Sequence, residues 1–192
     1  MSPFAFIWLG IFTICARATL YEFVPDNDKV FDSCSEIPDN NGIHDIMDMS
    51  EINIELLENS IAVNGNCTVV WKGVQPTDRI QLNAEVYKFQ RGDWQQTTIT
   101  FIIADFCPVQ FEENSVWYRV WSSHIPQDER KCINNYGHVY HQHAFEIDST
   151  MEFSLQMEGR HKIVVKVQAF DELNNPRENL ICVNIFGEFY KI

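Results

Sequence analysis

Hydrophobic and polar residues alternate along several stretches of the chain, as they do in strands with one buried face. Ile80, Leu82, Ala84 and Val86 are separated by polar residues, and segments 52–56, 153–157 and 165–169 show the same period of two. Segments 97–106, 116–121 and 180–190 are rich in β-branched and aromatic residues, which favour strands. Residues typical of turns separate the strands at 64–66, 90–93, 158–160 and 174–176.

This spacing predicts seven to nine strands and an all-β fold, an antiparallel two-sheet sandwich or open barrel. One short helix is predicted around residues 125–132, with Pro126 at its first position. A chain of 192 residues is long enough for one domain with a large interior.

The first residues of the chain have the pattern of a secretory leader. Residues 4–15 form an apolar run, and Ala16-Arg17-Ala18 follows it with the small-x-small pattern of a cleavage site. The run is shorter than the roughly 20 residues that a membrane-spanning helix needs. We therefore expect a signal peptide at 1–18 and a secreted single domain at 19–192 without a membrane span; an uncleaved anchor is the alternative.

The net charge of the chain limits the classes of partner that we expect, and its cysteines indicate the compartment. The chain carries 14 Lys and Arg against 27 Asp and Glu, which disfavours nucleic acid and anionic lipid surfaces as partners. Cys15 lies in the leader, and an oxidising compartment would pair four of the other five cysteines, Cys34, Cys67, Cys107, Cys132 and Cys182. The residues alone leave that pairing open.

Three histidines lie close together near the middle of the chain. His138, His141 and His143, with Asp148 nearby, could be metal ligands, because alternate residues of a strand share a face. No second pair of ligands with zinc spacing is evident, so we favour a solvated, pH-sensitive loop and expect no metal.

Of the motifs for catalysis, cofactor binding and modification, the chain contains one, a modification motif. The chain lacks a G-x-S-x-G elbow and any cofactor motif, so we expect neither an enzyme nor a cofactor. Asn66-Cys67-Thr68 fits the acceptor rule for N-glycosylation.

Aromatic residues crowd into the middle of the chain. They build either a solid core or the wall of an apolar ligand cavity, and the alternation of the strands is the same in both cases. The candidate ligand-binding residues, on the wall or rim of such a cavity, are Trp94, Phe101, Phe106, Phe111, Trp117 and Trp121.

Six short segments together resemble the ML lipid-recognition superfamily, in the branch of the ganglioside activator protein and the insect CheB-type chemosensory proteins. They are VFDSC at 30–34, IAVNGNCT at 61–68, GDW at 92–94, DFC at 105–107, Pro126 before Cys132, and LICVNI at 180–185. Their order and spacing carry the resemblance, since no single segment is diagnostic.

The resemblance implies a cup of two antiparallel sheets around an apolar cavity, with disulfides Cys34–Cys182 and Cys107–Cys132 and a glycan on Asn66. It implies a secreted, non-enzymatic carrier of a lipid or hydrocarbon that serves chemosensation, with a receptor or channel as partner. Cys67 has no partner in the family pattern, so the protein is a monomer with a buried thiol or a Cys67-linked dimer.

Two other functions stay open at this point. One is a lysosomal-type activator that presents a glycolipid to a hydrolase, with lipid extraction that strengthens as histidines protonate. The other is an extracellular interaction module without a cavity. Segment 135–145, where the ganglioside activator carries further disulfides, is here expected to be a freer rim loop.

Overall fold

The structure is a computed structural model that describes residues 18–27, 30–37, 41–58 and 60–192. The predicted signal peptide, except for Ala18, lies outside the described residues. No helix in the described part of the chain has the length and hydrophobicity needed to cross a membrane.

Within these residues the chain forms ten strands in two antiparallel sheets. The strands are β1 (Thr19–Pro25), β2 (Asp32–Ser33), β3 (Met47–Leu56), β4 (Ser60–Val69), β5 (Arg79–Gln90), β6 (Asp93–Ile103), β7 (Val139–Asp148), β8 (Thr150–Phe153), β9 (Gly159–Phe170) and β10 (Ile181–Lys191). The large sheet has the order β6-β5-β9-β10-β1-β8, with β2 also beside β10, and the small sheet has the order β3-β4-β7. The predicted all-β, two-sheet fold is confirmed.

Short helices connect the two sheets. They are α1 (Ile43–Ile46), α2 (Phe106–Gln110), α3 (Val116–Val120) and the 3₁₀ helices Ser122–His124 and Gln127–Glu129. Ser115 caps α3, since its hydroxyl accepts a hydrogen bond from the Tyr118 backbone N–H at 3.0 Å.

The large sheet curls into a half-barrel whose concave face is apolar. Its register aligns Leu82 of β5 with Val167 of β9, and Val167 with Ile181 of β10. All three side chains are buried in the main core, together with Cys67, Val69 and Tyr140 from the small sheet. The alternation that predicted strands in the sequence therefore points the same face of each sheet toward the other.

Two disulfides join distant parts of the chain. Cys34 follows β2 and binds Cys182 in β10, with Cα atoms 5.6 Å apart, and Cys107 in α2 binds Cys132, with Cα atoms 5.2 Å apart. Both pairings implied by the family resemblance are confirmed. A chain with two such bonds is typical of an oxidising compartment.

Several local predictions were wrong, each for an identifiable reason. Segment 116–121, predicted to be a strand, is mainly the helix α3, because the Ser115 cap outweighs the β propensity of its aromatic residues. The strand predicted at 153–157 is not formed beyond Phe153, and residues 154–158 are a loop after β8. The helix expected at 125–132 is reduced to the 3₁₀ helix Gln127–Glu129, with Pro126 before its first residue.

The predicted turn at 64–66 lies inside β4, opposite a bulge in β7. Gly65 has φ +113°, and the pairing of β4 with β7 shifts between Val63 and Gly65. A Cβ atom at Gly65 would lie 2.0 Å from the Glu51 carbonyl oxygen of β3. Glycine thus serves here to let two strands approach rather than to reverse the chain.

Gly65→Ala should destabilise the protein more than Gly92→Ala, the matched control. Gly92 also has a positive φ, +84°, but nothing lies within 4 Å of an added Cβ atom. Backbone strain is common to both variants, whereas the collision with Glu51 belongs to Gly65 alone, and we expect it to add at least about 1 kcal/mol. Urea unfolding of both variants measures the difference; equal losses would contradict the role assigned to Gly65.

Candidate ligand site between the two sheets

Residues 104–138 connect one edge of the large sheet to one edge of the small sheet. This bridging segment starts after the edge strand β6 and ends at the edge strand β7, and α2 contacts β5 on its way. Phe106, Ile125 and Ile133 anchor it in the main core, and the Cys107–Cys132 disulfide ties its two arms together. The segment therefore closes one side of the space between the sheets.

Four of the six aromatic residues predicted to bind a ligand lie on the bridging segment. Phe106 is buried and meets the ring of Trp117 edge-on, with ring centroids 5.3 Å apart. Trp121 meets Phe145 of β7 edge-on at 6.3 Å, and Phe111 packs against the main core. Phe111, Trp117 and Trp121 each keep some accessible surface. These rings line the boundary between the bridging segment and the core.

The other two predicted residues lie elsewhere. Trp94 is on the convex face of the large sheet, where its ring centroid is 5.7 Å from that of Phe186 and 5.5 Å from the Lys162 ammonium. It therefore does not face the small sheet. Phe101 pairs with Ala84 and takes a concave-face position on the edge strand β6, but 57% of it is exposed. The concave face is thus open at the β6 edge.

The middle of the concave face is less completely covered than its ends. Ile163 and Val165 of β9 and Ile185 of β10 occupy concave positions on central strands, yet each keeps part of its surface accessible. Ile185 packs against both the main core and a second apolar cluster, which contains Tyr21, Phe23, Val86, Met157 and Phe189. The partly exposed residues lie where these two clusters meet.

An apolar cleft opens at the β3 edge of the small sheet. It has a volume of about 450 Å³ and is lined mainly by hydrophobic side chains, including Phe31, Ile43, Met49, Ile52 and Ile54. Phe31, Ile43, Met49 and Ile52 also pack against the main core. The cleft therefore leads from solvent to the apolar interior. A larger cleft of about 630 Å³ lies among loop residues 71–76 and 135–139.

The interior also contains neutral polar groups. Among the described residues, buried side-chain atoms without a hydrogen-bond partner belong to Trp71, Asn83, Gln110, Ser122, Gln142 and His161. Gln142 is unusual because both its amide oxygen and its amide nitrogen lack a partner, although only 7% of the residue is exposed. A buried polar atom without a partner costs about 1–3 kcal/mol, so these groups need an explanation.

The predicted histidine loop is mostly the strand β7. Tyr140 and Gln142 are buried while His141 and His143 are exposed, which is the period of a strand with one buried face. His141 is 2.8 Å from a carboxylate oxygen of Glu129, and hydrogen bonds from His141 hold the pKa of Glu129 below its usual range. No three His, Cys, Asp or Glu side chains in the described ranges form a group that could hold a metal ion.

Asn66 and Cys67 point to opposite faces of β4. Asn66 pairs with His141 on the outward face, and its side-chain amide donates a hydrogen bond to a Glu51 carboxylate oxygen at 3.2 Å. Cys67 is free and 1% exposed, and burial raises the pKa of its thiol to about 12. A covalent dimer through Cys67 would require the interior to open.

Cys67 should therefore resist modification in the folded protein. We expect 5,5′-dithiobis(2-nitrobenzoate) to label it negligibly at pH 8 under native conditions and fully in guanidinium, because the thiol is buried and protonated. A single band of monomer size on a non-reducing gel should accompany this result. Rapid native labelling, or a band of dimer size that reduction removes, would contradict the placement of Cys67 in the core.

One buried ion pair fixes the loops at the end of the core. Asp78 is buried, and Arg177 donates two hydrogen bonds to its carboxylate, at 2.7 and 2.9 Å. Burial alone would raise the pKa of Asp78, but the hydrogen bonds from Arg177 and from the Gln75 backbone lower it below its usual value. Asn134 of the bridging segment donates to the backbone oxygens of Pro76 and Asp78, so three loops meet at this pair.

Arg177→Ala should lower the urea midpoint more than Arg160→Ala does, because it leaves a buried carboxylate without its partner. Arg160 is the matched control, since its salt bridge with Asp26 is largely exposed. Asp78 has a depressed folded-state pKa, so its contribution is full above the ordinary Asp pKa near 4 and is lost as the pH falls through the folded value. The difference between wild type and Arg177→Ala should shrink as the pH falls below the ordinary Asp pKa and Asp78 becomes protonated in the folded protein; equal midpoints at pH 7 would contradict the assigned role.

The residues that sequence reasoning missed are concave-face residues. In the sequence, Ile163 and Ile185 have the pattern of ordinary buried strand residues. Alternation does not predict how far apart two sheets lie, so it does not predict that these residues stay partly accessible. Gln142 did leave a signal, because it occupies a position in HVYHQHAF where the alternation calls for an apolar residue.

Neither a scan against protein-family models nor a search of the curated proteins finds a match for this chain.

Proposed function

We propose that this protein is a secreted, non-enzymatic carrier that holds an apolar ligand, a lipid or a long hydrocarbon, between its two sheets. The observation that carries the proposal is the accessible apolar surface of Ile163, Val165 and Ile185 at the centre of the concave face. Residues on central strands of a solid sandwich would be covered. An apolar chain laid over them would unite the two apolar clusters that meet there.

Partition from water supplies the affinity in this proposal. Burying a methylene group contributes about 0.8 kcal/mol, so a chain of ten carbons provides several kcal/mol after its ordering cost is subtracted. The apolar cleft at the β3 edge offers a path of entry, because its lining residues continue into the main core. The opposite side is held by the bridging segment and its disulfide.

The proposal also includes the compartment, the biological role and the partner of the protein. The two disulfides support a chain made for an oxidising compartment, and the resemblance to the chemosensory branch suggests a role in detecting apolar signals, with a receptor or channel as partner. These assignments rest on the resemblance rather than on the geometry of the site.

Ile185→Trp tests the site, because the larger side chain fills the space over the concave face. We expect displacement of the fluorescent probe N-phenyl-1-naphthylamine by C16 lipids to weaken at least about tenfold in this variant. Ile102→Trp is the matched control, since Ile102 is 66% exposed on the outward side of β6. Circular dichroism should show that both variants are folded.

Two outcomes would contradict the proposal. One is wild-type protein that binds neither the probe nor any C16 lipid, as a filled sandwich would. The other is a folded Ile185→Trp variant that binds as tightly as Ile102→Trp. Native mass spectrometry of the purified wild-type protein adds an independent measurement, since a carrier is expected to retain a ligand of several hundred daltons.

A further inference from the structure

We infer that the wall formed by β7 and the bridging segment is a binding site for an uncharged hydrogen-bonding group, such as the hydroxyl of a long-chain alcohol. The inference rests on the proposed carrier function and deepens it, because it names the chemical class of the ligand. Gln142 is the centre of the site, and Gln110 and Ser122 of the bridging segment also carry buried side-chain atoms without partners.

The register of the small sheet places Gln142 on its inward face. Gln142 pairs with Gly65, and Tyr140, two residues earlier, pairs with Cys67 in the main core. Gly65 pairs in turn with Ile52 of β3, which lines the apolar cleft. Gly65 thus lies between Ile52 and Gln142 in this row of paired residues. Neighbouring strands lie about 4.8 Å apart, so the distance across the sheet from Ile52 at the cleft to Gln142 is about 10 Å.

The bridging segment brings two further polar groups to the same wall. Gln110 lies near the phenol of Tyr140, which donates a hydrogen bond to the Lys131 backbone oxygen at 2.6 Å, on one side of Gln142 along β7. On the other side, Trp121 meets Phe145 edge-on and His124 stacks on it with ring centroids 3.8 Å apart. Ser122 lies between Trp121 and His124 in the chain, at the first residue of the 3₁₀ helix Ser122–His124.

Burial makes these groups costly unless something binds them. Gln110 is 2% exposed and Ser122 is 0% exposed, and the Gln110 amide oxygen, the Ser122 hydroxyl and both Gln142 amide atoms lack partners. An amide offers both a donor and an acceptor, which matches a hydroxyl group, itself a donor and an acceptor. A pure hydrocarbon would leave the same atoms unsatisfied.

The charge of the wall argues against a carboxylate as the bound group. Among the described residues, the one buried Lys or Arg is Lys162, and it lies on the convex face of the large sheet, paired with Glu36 at 2.7 Å. Burial lowers the pKa of His124, which favours its neutral imidazole at pH 7. An anion at Gln142 would therefore lose its hydration without gaining a cation.

Competition among three ligands of equal chain length tests the assignment. Hexadecan-1-ol, hexadecane and hexadecanoate are each titrated at pH 7 into the wild-type protein with bound N-phenyl-1-naphthylamine, and displacement of the probe is measured. We expect the alcohol to bind about tenfold more tightly than either of the others. Gln142→Leu should remove this preference and leave the affinity for hexadecane unchanged. Gln81→Leu is the matched control, because Gln81 faces outward on β5.

The unfolding temperature of Gln142→Leu distinguishes a ligand site at Gln142 from a site that holds only a buried water. Without bound lipid, Gln142→Leu should raise the unfolding temperature, because it removes amide atoms that lack partners. A fall in that temperature, with the preference for the alcohol unchanged, would overturn the inference and assign Gln142 to internal packing. Equal affinity of all three ligands for the wild-type protein would also overturn it while leaving the carrier function in place. Failure of every ligand to displace the probe would instead remove the carrier function.

Discussion

A three-stranded sheet cannot cover a large sheet whose main path has six strands, and this mismatch governs the rest of the structure. Neighbouring strands lie about 4.8 Å apart, so the small sheet is about 10 Å wide between its outer strands, whereas the large sheet spans more than twice that distance. Curling of the large sheet takes up part of the difference. The bridging segment between β6 and β7 covers another part, and the remainder is the exposed ring of Phe101 and the partly covered centre of the concave face.

The polar groups of the interior fall into two kinds. Asp78, Arg177 and Asn134 satisfy one another and the loops around them, so they fix the end of the core where the sheets are close. Gln142 and Ser122 are equally buried but keep atoms without partners. The first kind stabilises the structure, and the second kind is the basis of the ligand preference that we propose.

The sequence predicted what depends on local patterns. Alternation identified β3, β5 and β9, the content of β-branched and aromatic residues identified β6 and β10, and the family resemblance supplied both disulfides. It did not predict α3, since the capping hydroxyl of Ser115 competes with the β propensity of Trp117 and Tyr118. Trp94 and Trp121 look alike in sequence, but they lie on opposite sides of the large sheet. Trp94 is an outward-facing residue of β6, whereas Trp121 lies on the bridging segment and meets Phe145 of β7. The candidate site depends on the separation of the sheets, which no local pattern encodes.

The position of β10 sets an order for the assembly of the protein. β10 lies between β9 and β1 and also pairs with β2, so the early strands cannot complete their pairing before residues 181–191 have been synthesised. Cys107 and Cys132 can join well before that point, whereas Cys34 has to wait for Cys182. Until then Cys34 can also meet the thiol of Cys67, which has no disulfide partner in the finished fold. Because the finished core buries Cys67, a bond between Cys34 and Cys67 would not fit the folded protein, and only the pairing with Cys182 is compatible with the complete fold.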